Sequence, residues 1–426
     1  MKNSWLLLLI TPLLFACSSK QTPNPSQEEE TFITYDEEHV KNIKRLGYVT
    51  GPEGFYNTME YGLGSCDLGY PVYISDIDTM YYFFGDSFSQ NNQSGAWRSN
   101  IAAISQDFDY SNGLELNEAL TNQNGYLKAI YNGHHMDEGS EVTKIPTGVI
   151  YVNHTIYMYY FSMHNWSYDR DVKMNYGGCI KSSDYGETWE RIYDLTWVNL
   201  SPDMTYGTAN NENDYQVLRR LINEDIDNNE RSEDLIELED HLGFDSVLIY
   251  PMLGDDGYVY IFCEGGYRNH KLKVGRVLPE NIEIFNEYEY LQGFDGAGEP
   301  IFKKGYDGLK SLYGNKNAEI TDINFGEMSG VYNPYLKKWC LLTVSTGSVD
   351  MVLSDHIYGP YKDKIHLYSQ GDEICPVSST TGAPIISAYA PMTHEKMLKD
   401  NGKTMYMLTS TWIPCYNPSL YEVKFI

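Results

Sequence analysis

The chain has 426 residues, with 31 Lys and Arg against 59 Asp and Glu, and a net charge of −28. A field of that sign repels phosphate, which argues against nucleic acid and suits a soluble protein acting on a neutral polymer. Tyr (38) and Gly (36) are abundant, and short β-branched and aromatic runs alternate with turn residues while long helical periodicity is scarce, so the fold class read from composition is all-β.

The N-terminus carries Lys2 and then an apolar run, Trp5 to Phe15, too short for a spanning helix. It ends Leu14-Phe15-Ala16-Cys17, which reads as a bacterial lipobox with an unusual Phe at its second position. The expected organisation is a signal peptide over 1–16, a lipid on the Cys17 thiol, a polar proline-containing tether over 17–35 and a folded body over 36–426. A lipid anchor at Cys17 would hold the protein, as a monomer, on the bacterial outer membrane, facing the periplasm or the surface. A cleaved soluble secretory signal is the competing reading. The other six cysteines are scattered without a CxxC, so neither a zinc site nor a dense disulfide framework is expected; a bridge such as Cys66 to Cys415 stays open.

The stretch Gly62 to Asn100 reads as a hairpin, with strands Tyr70–Ile74 and Met80–Phe84 around the turn Ser75–Thr79. A hairpin sets the start of its first strand beside the end of its second, so Asp67 and Asp86 should share one end. Trp97, Arg98 and Asn100 follow in the next loop and should project from the same rim. Paired carboxylates with an arginine and an aromatic suggest a carbohydrate site. Turn residues beside glycines are the plainer reading of the two acids.

Four more units follow: Glu141 to Tyr193, Asp245 to Tyr288, Glu327 to Lys364 and Gly382 to Phe425, the last with its first strand near Ala383–Ala390. The second contains Ser182 to Trp189, an S-x-D-x-G-x-T-W Asp box, in which Asp184 caps a turn and Trp189 packs inward; Asp184 is therefore read as structural. Five hairpin-based units suggest a five-bladed β-propeller, with an N-terminal strand around His39–Tyr48 closing the ring. An insertion over about 211–243 has Leu218, Leu221, Ile222, Leu235, Leu238 and Leu242 at helical spacing, read as two short helices on the rim.

In a propeller, the starts of inner strands and the loops after second strands meet at one face. Those places hold Asp67 and Asp86, Glu141 with the His164-Asn165-Trp166 loop, Asp245 with Glu264 and Arg268, Glu327, and Trp412. Acids begin four of five inner strands, although acids are depleted in strands and costly to bury unpaired. No cofactor is called for; a structural cation in the central channel is the alternative use of such a ring.

The pieces CDLGYPVY, FGDSFS, WRSNIAAIS, IPTGVIY, SSDYGETW, DDGYVYIF, GYRNHKLKVGRV, GEMSGVYNPYLKKW and STWIPCYNPSLYEV run in order over about residues 45 to 426. Together they resemble glycoside hydrolase family 183, endo-D-arabinanases formerly grouped as domain of unknown function 4185. The resemblance implies a five-bladed propeller and endo cleavage of α-D-arabinofuranosyl chains, as in mycobacterial arabinogalactan and lipoarabinomannan. A lipoprotein of this kind resembles the surface glycan-degrading proteins of gut-type Bacteroidetes. The Asn213 to Leu242 insertion departs from the pattern.

Furanoside hydrolysis needs an acid for the leaving oxygen and a carboxylate that activates water or attacks C1. The sequence reading gives Asp67 the base or nucleophile role and Glu327 the acid role, with Asp86 or Asp245 raising the acid's pKa by like charge. Arg98, Asn100, Glu141 and Arg268 would contact hydroxyls or orient carboxylates, and Trp97, Trp166 and Trp412 would stack on sugars. A non-catalytic glycan-binding lipoprotein, or a propeller glycosidase on another glycan, are the alternatives.

Overall fold

In the computed structural model, the hairpins read from the sequence become five antiparallel sheets. The structure describes residues 38–135, 141–164, 166, 174–200, 209–224, 238–243, 246–377, 382–384, 387–412 and 415–426. The signal segment, Cys17, the tether and Asp245 lie outside the described residues.

Blade 1 pairs Ser65–Ile74, Thr79–Gln90, Ile101–Ser105 and Glu118–Ala119; blade 2 pairs Thr143–Val152, Thr155–Met163, Met174–Ser182 and Glu190–Val198. Blade 3 runs Leu248–Leu253, Val259–Glu264, Lys273–Val277, Glu289–Phe294 and Pro300–Lys304, and blade 4 runs Ser329–Asn333, Lys338–Ser345, Ser348–Ser354 and Asp363–Ser369. Blade 5 takes Tyr389–Met392, Thr404–Thr411 and Asn417–Phe425 from the C-terminal end and its outer strand, Val40–Tyr48, from the N-terminal end. That strand pairs antiparallel from Val40 opposite Phe425 to Tyr48 opposite Ser419. The fold is a five-bladed β-propeller, and this pairing closes its ring.

The inner strands are buried almost throughout instead of alternating, as in Ser65–Ile74 and Thr143–Val152. Blades pack face to face, so both faces of an inner strand are covered and apolar residues occupy both. Polar bonds also join each neighbouring pair of blades near the axis. Thr143 Oγ1 donates to Asp86, Thr147 Oγ1 to the Ile249 carbonyl, the Gly330 amide to the Tyr250 hydroxyl, Ser329 Oγ to the Pro391 carbonyl, and the Leu68 amide to Ser410 Oγ.

Several local expectations are corrected. Residues Ser94–Arg98 form a strand against Ser87–Gln90 rather than a loop, because Phe88 and Trp97 pair across it. The inner strand of blade 5 is Tyr389–Met392, later than Ala383–Ala390. Blade 3 gains two outer strands and a short helix, Gly305–Lys310. Among the described residues the insertion contributes an α-helix, Ala209–Ile222, and a 3₁₀ turn, Leu238–Asp240, with Leu218, Leu221, Ile222 and Leu238 buried, while Leu235 lies outside the described residues. Cys66 and Cys415 are free thiols rather than a bridge. Among the described residues no helix is long and apolar enough to cross a membrane.

The Asp box is a turn clamp. Asp184 Oδ1 accepts from the Thr188 amide at 2.9 Å and from Ser182 Oγ at 2.8 Å, and Oδ2 accepts from Thr188 Oγ1 at 2.5 Å. Trp189 packs edge-on against Phe83 of blade 1, centroids 5.9 Å apart. The Thr188 hydroxyl and amide hold the Asp184 carboxyl down at about 2. Its contribution is therefore complete above the ordinary carboxylate range and is lost as pH falls through about 2. Asp184→Ala is expected to lower Tm at neutral pH, by an amount matching roughly 1–3 kcal/mol for lost bonds to a charged group; thermal denaturation checks this.

Candidate active site

Asp67 reaches the channel because its strand is interrupted. Pairing runs Cys66 opposite Ser87, then Leu68 opposite Phe84, then Tyr70 opposite Phe83. Leu68 takes φ 67° and Gly69 φ 101°. This bulge takes the Leu68 amide out of the ladder, and the amide donates to Ser410 Oγ at 2.8 Å. Opposite it, a Cβ on Gly85 would come 2.5 Å from Asp67 Oδ1, so the close approach of backbone to carboxyl requires glycine there.

Asp67 Oδ2 accepts from the Tyr389 hydroxyl at 2.8 Å. Its Oδ1 finds no donor in good geometry among the described residues, although the nearby Tyr416 hydroxyl still favours the charged form. Asp86 Oδ1 accepts from Thr143 Oγ1 at 2.6 Å and Trp97 Nε1 at 2.8 Å. Across the channel, Arg268 Nε and Nη2 donate to the two oxygens of Glu327 at 2.9 and 2.8 Å, a bidentate pair. Arg268 stands in a tight turn, with Tyr267 at φ 46° and Arg268 at φ 73°. Buried Glu264 caps that turn, accepting from the Gly266 amide at 2.7 Å and the Arg268 amide at 3.1 Å.

Asp67, Asp86, Arg268, Glu327, Tyr389 and Tyr416 line one cavity of about 500 Å³. Trp166 and Trp412 also border it, with 38% and 45% of their surface exposed, so their rings are open to a ligand. Burial, followed by the charge of Asp86, pushes Asp67 up to about 8, against the bonds from Tyr416 and Tyr389. Burial also pushes Asp86 up to about 7, opposed by Thr143 and Trp97. Two buried carboxyls that repel one another titrate as a pair, and near neutral pH the pair retains a proton.

A family model described as "Domain of unknown function (DUF4185)" matches residues 54–423. The chain belongs to the DUF4185 family. Among solved structures, this DUF4185 chain is similar to a candidate hydrolase from Bacteroides ovatus ATCC 8483, at 12% identity and TM-score 0.52 over 93% of this chain and 97% of that one. It also aligns with a family 117 glycoside hydrolase from Zobellia galactanivorans (11%, TM-score 0.42, 92% of each chain). A GH43 endo-arabinanase from Bacillus licheniformis aligns at 11% and TM-score 0.41, over 85% of this chain and 96% of that one. No curated protein matches this sequence.

The DUF4185 chain uses its other sequence-selected residues differently. Glu141 is fully buried away from the cavity, bound to His134 Nδ1 at 2.7 Å, Lys144 Nζ at 2.9 Å and Ser162 Oγ at 2.5 Å. Those partners hold its carboxyl below the ordinary range in spite of burial. Asn100 is spent on the backbone, donating to the Tyr131 and Lys144 carbonyls, and Arg98 Nε donates to the Leu127 carbonyl. The Trp97 indole lies flat against His135, centroids 4.0 Å apart, and aims its N–H at Asp86, so it anchors a carboxyl instead of offering a platform. Among the described residues no three His, Cys, Asp or Glu side chains converge as a metal-ligand set. Tyr389, Tyr416, Thr143 and Ser410 were not singled out from sequence. Nothing marks two tyrosines among 38, and a hydroxyl's partner on another blade leaves no local trace.

The raised carboxyls carry a stability consequence. A group bound to its proton more tightly when folded supports stability fully below its unfolded pKa, and that support is lost as pH rises through its folded value. For Asp67 and Asp86 the window runs from about 4 to about 7–8. Asp67→Asn and Asp86→Asn are each expected to raise Tm relative to the wild type, more at pH 9 than at pH 5.5; calorimetry at the two pH values checks this.

Proposed function

We propose that this protein is a glycoside hydrolase acting on a neutral polysaccharide, with α-D-arabinofuranosyl chains as its substrate and cleavage within the chain. The observation that carries the reading is the pair of buried carboxyls, Asp67 and Asp86, set in an open cavity between two exposed indoles. Glycoside hydrolysis needs one carboxyl that holds a proton at working pH and a second that is ionised, and environments that push two pKa values apart supply them. The reading assigns the proton to Asp67, which burial and the charge of Asp86 both push up. It assigns the carboxylate to Asp86, whose Oδ1 accepts two bonds that favour charge.

The roles thus differ from the sequence reading. Glu327 has both oxygens engaged by Arg268, so delivering a proton from it would first break that pair; it serves better as a fixed negative charge beside the developing oxocarbenium ion. The proton of Asp67 passes to the glycosidic oxygen as the C1–O bond breaks. Asp86 takes a proton from the attacking water, or bonds to C1 itself. Trp166 and Trp412 stack on neighbouring sugars. Arg268, committed to Glu327, is the one cation among the described lining residues, which favours an uncharged glycan over a uronate or sialate.

Incubation with mycobacterial arabinogalactan is expected to release oligosaccharides, while plant L-arabinan stays intact; no product from either would overturn the hydrolase reading. Asp67→Asn and Asp86→Asn should each lose roughly 10²- to 10⁴-fold in kcat, the range for acid–base catalysis, with Glu327→Gln less affected. Equal or greater loss at Glu327 would return the acid role to it.

The reading also places the protein on a lipid anchor. Cys17→Ala should shift it from the membrane to the soluble fraction in a cell fractionation, and unchanged partition would remove the anchor.

A further inference from the structure

One side chain touches both halves of the cavity. Tyr389 begins the short inner strand of blade 5, which is irregular: Tyr389 pairs with Ser410, Met392 pairs with Leu408, and Ala390 between them takes φ 53°. The Tyr389 hydroxyl donates to Asp67 Oδ2 at 2.8 Å. Its ring lies against the Arg268 guanidinium, 5.2 Å from centroid to carbon, and Arg268 holds Glu327 in the bidentate pair. Tyr389 is thus bonded to one carboxyl and stacked on the counter-ion of another.

We propose that Tyr389 is a positioning residue for the reaction: it fixes the orientation of the Asp67 carboxyl, and ties that carboxyl to the Arg268–Glu327 pair. The proposal rests on Asp67 being the proton donor. A single hydrogen bond leaves a carboxyl able to rotate about its Cβ–Cγ bond. Here rotation would break the only well-directed bond Asp67 makes among the described residues, and the Tyr389 ring cannot follow without leaving Arg268. The groups facing Asp67 are Asp86 from its own blade, Glu327 and Arg268 from across the channel, and the Tyr389 and Tyr416 hydroxyls from blade 5. Of these, Tyr389 and Tyr416 favour the charged form, and Asp86 and Glu327 oppose it. Burial, followed by the charge of Asp67, holds the Tyr389 hydroxyl well above its ordinary range, so it stays a donor. Removing it takes away support for the ionised carboxyl, and Asp67 should release its proton at higher pH.

The test uses the full folded chain with Tyr389→Phe, which keeps the ring over Arg268 and deletes only the hydroxyl, and Tyr389→Leu, which deletes both. Tyr389→Phe is expected to lower kcat about 10- to 100-fold, the worth of one hydrogen bond to a charged group, with KM little changed and the basic limb of the kcat/KM profile moved to higher pH. Tyr389→Leu should fall further. Carbon-13 NMR of labelled aspartate carboxyls, with the Asp67 signal assigned by its loss in Asp67→Asn, should show the same upward movement without any substrate. An unmoved Asp67 titration in folded Tyr389→Phe would overturn the proposal. An active Asp67→Asn enzyme would instead overturn the assignment of Asp67 as the acid. A simple packing role for Tyr389 predicts lower Tm with neither the profile nor the carboxyl titration displaced.

Discussion

Ring closure is the constraint on which the rest of the molecule depends. The pairing of Val40–Tyr48 with Asn417–Phe425 completes blade 5 and holds it against blade 1. That contact delivers Ser410 to the Leu68 amide and Tyr389 to the Asp67 carboxyl, groups separated by more than 300 positions in the chain. Without that pairing Asn417–Phe425 would be left as an open sheet edge, its backbone facing water. Desolvation is the largest cause of the raised Asp67 pKa, and blade 5 supplies part of the surroundings through Tyr389 and Tyr416.

Some of the backbone strain falls at or beside the cavity. Leu68, Tyr267, Arg268 and Ala390 all have positive φ without being glycine, and His135, against Trp97, does too. Each such residue costs on the order of 1–3 kcal/mol and persists only where its surroundings over-determine it. The surroundings here are specific: Ser410 on the Leu68 amide, and Glu264 on the amides of Gly266 and Arg268. The strained turns carry the side chains that a regular ladder would direct along the blade faces.

Acidic residues at comparable places in different blades meet opposite fates. Glu141, shortly before the inner strand of blade 2, is neutralised by Lys144 and His134 and becomes part of the scaffold. Glu327, shortly before that of blade 4, is paired with an arginine but keeps its place at the cavity. Asp67 has no cationic partner at hydrogen-bonding distance among the described residues, and burial pushes its pKa up instead. Burial of a carboxyl can be offset by a cation, as at Glu141 and Glu327, or can leave its pKa raised, as at Asp67.

The sequence by itself determined the architecture. Hairpin units bounded by turn residues, the Asp box and the meeting of Asp67 with Asp86 were legible because each rests on local pairing through strand alternation, turn chemistry and hairpin register, and the closing N-terminal strand because the last unit lacked an outer strand. Trp166, Trp412, Arg268 and Glu327 were legible as cavity residues for a related reason, since a propeller maps the ends of its strands onto one face. The tertiary structure alone decided what each charged group does. Whether an acid meets a lysine, as Glu141 does, or a tyrosine hydroxyl, as Asp67 does, depends on the neighbouring blade, and so does the turning of Trp97 toward Asp86 and His135. Protonation follows from burial and from the few ångströms around a carboxyl, and those distances are set by packing between segments that the linear order keeps far apart.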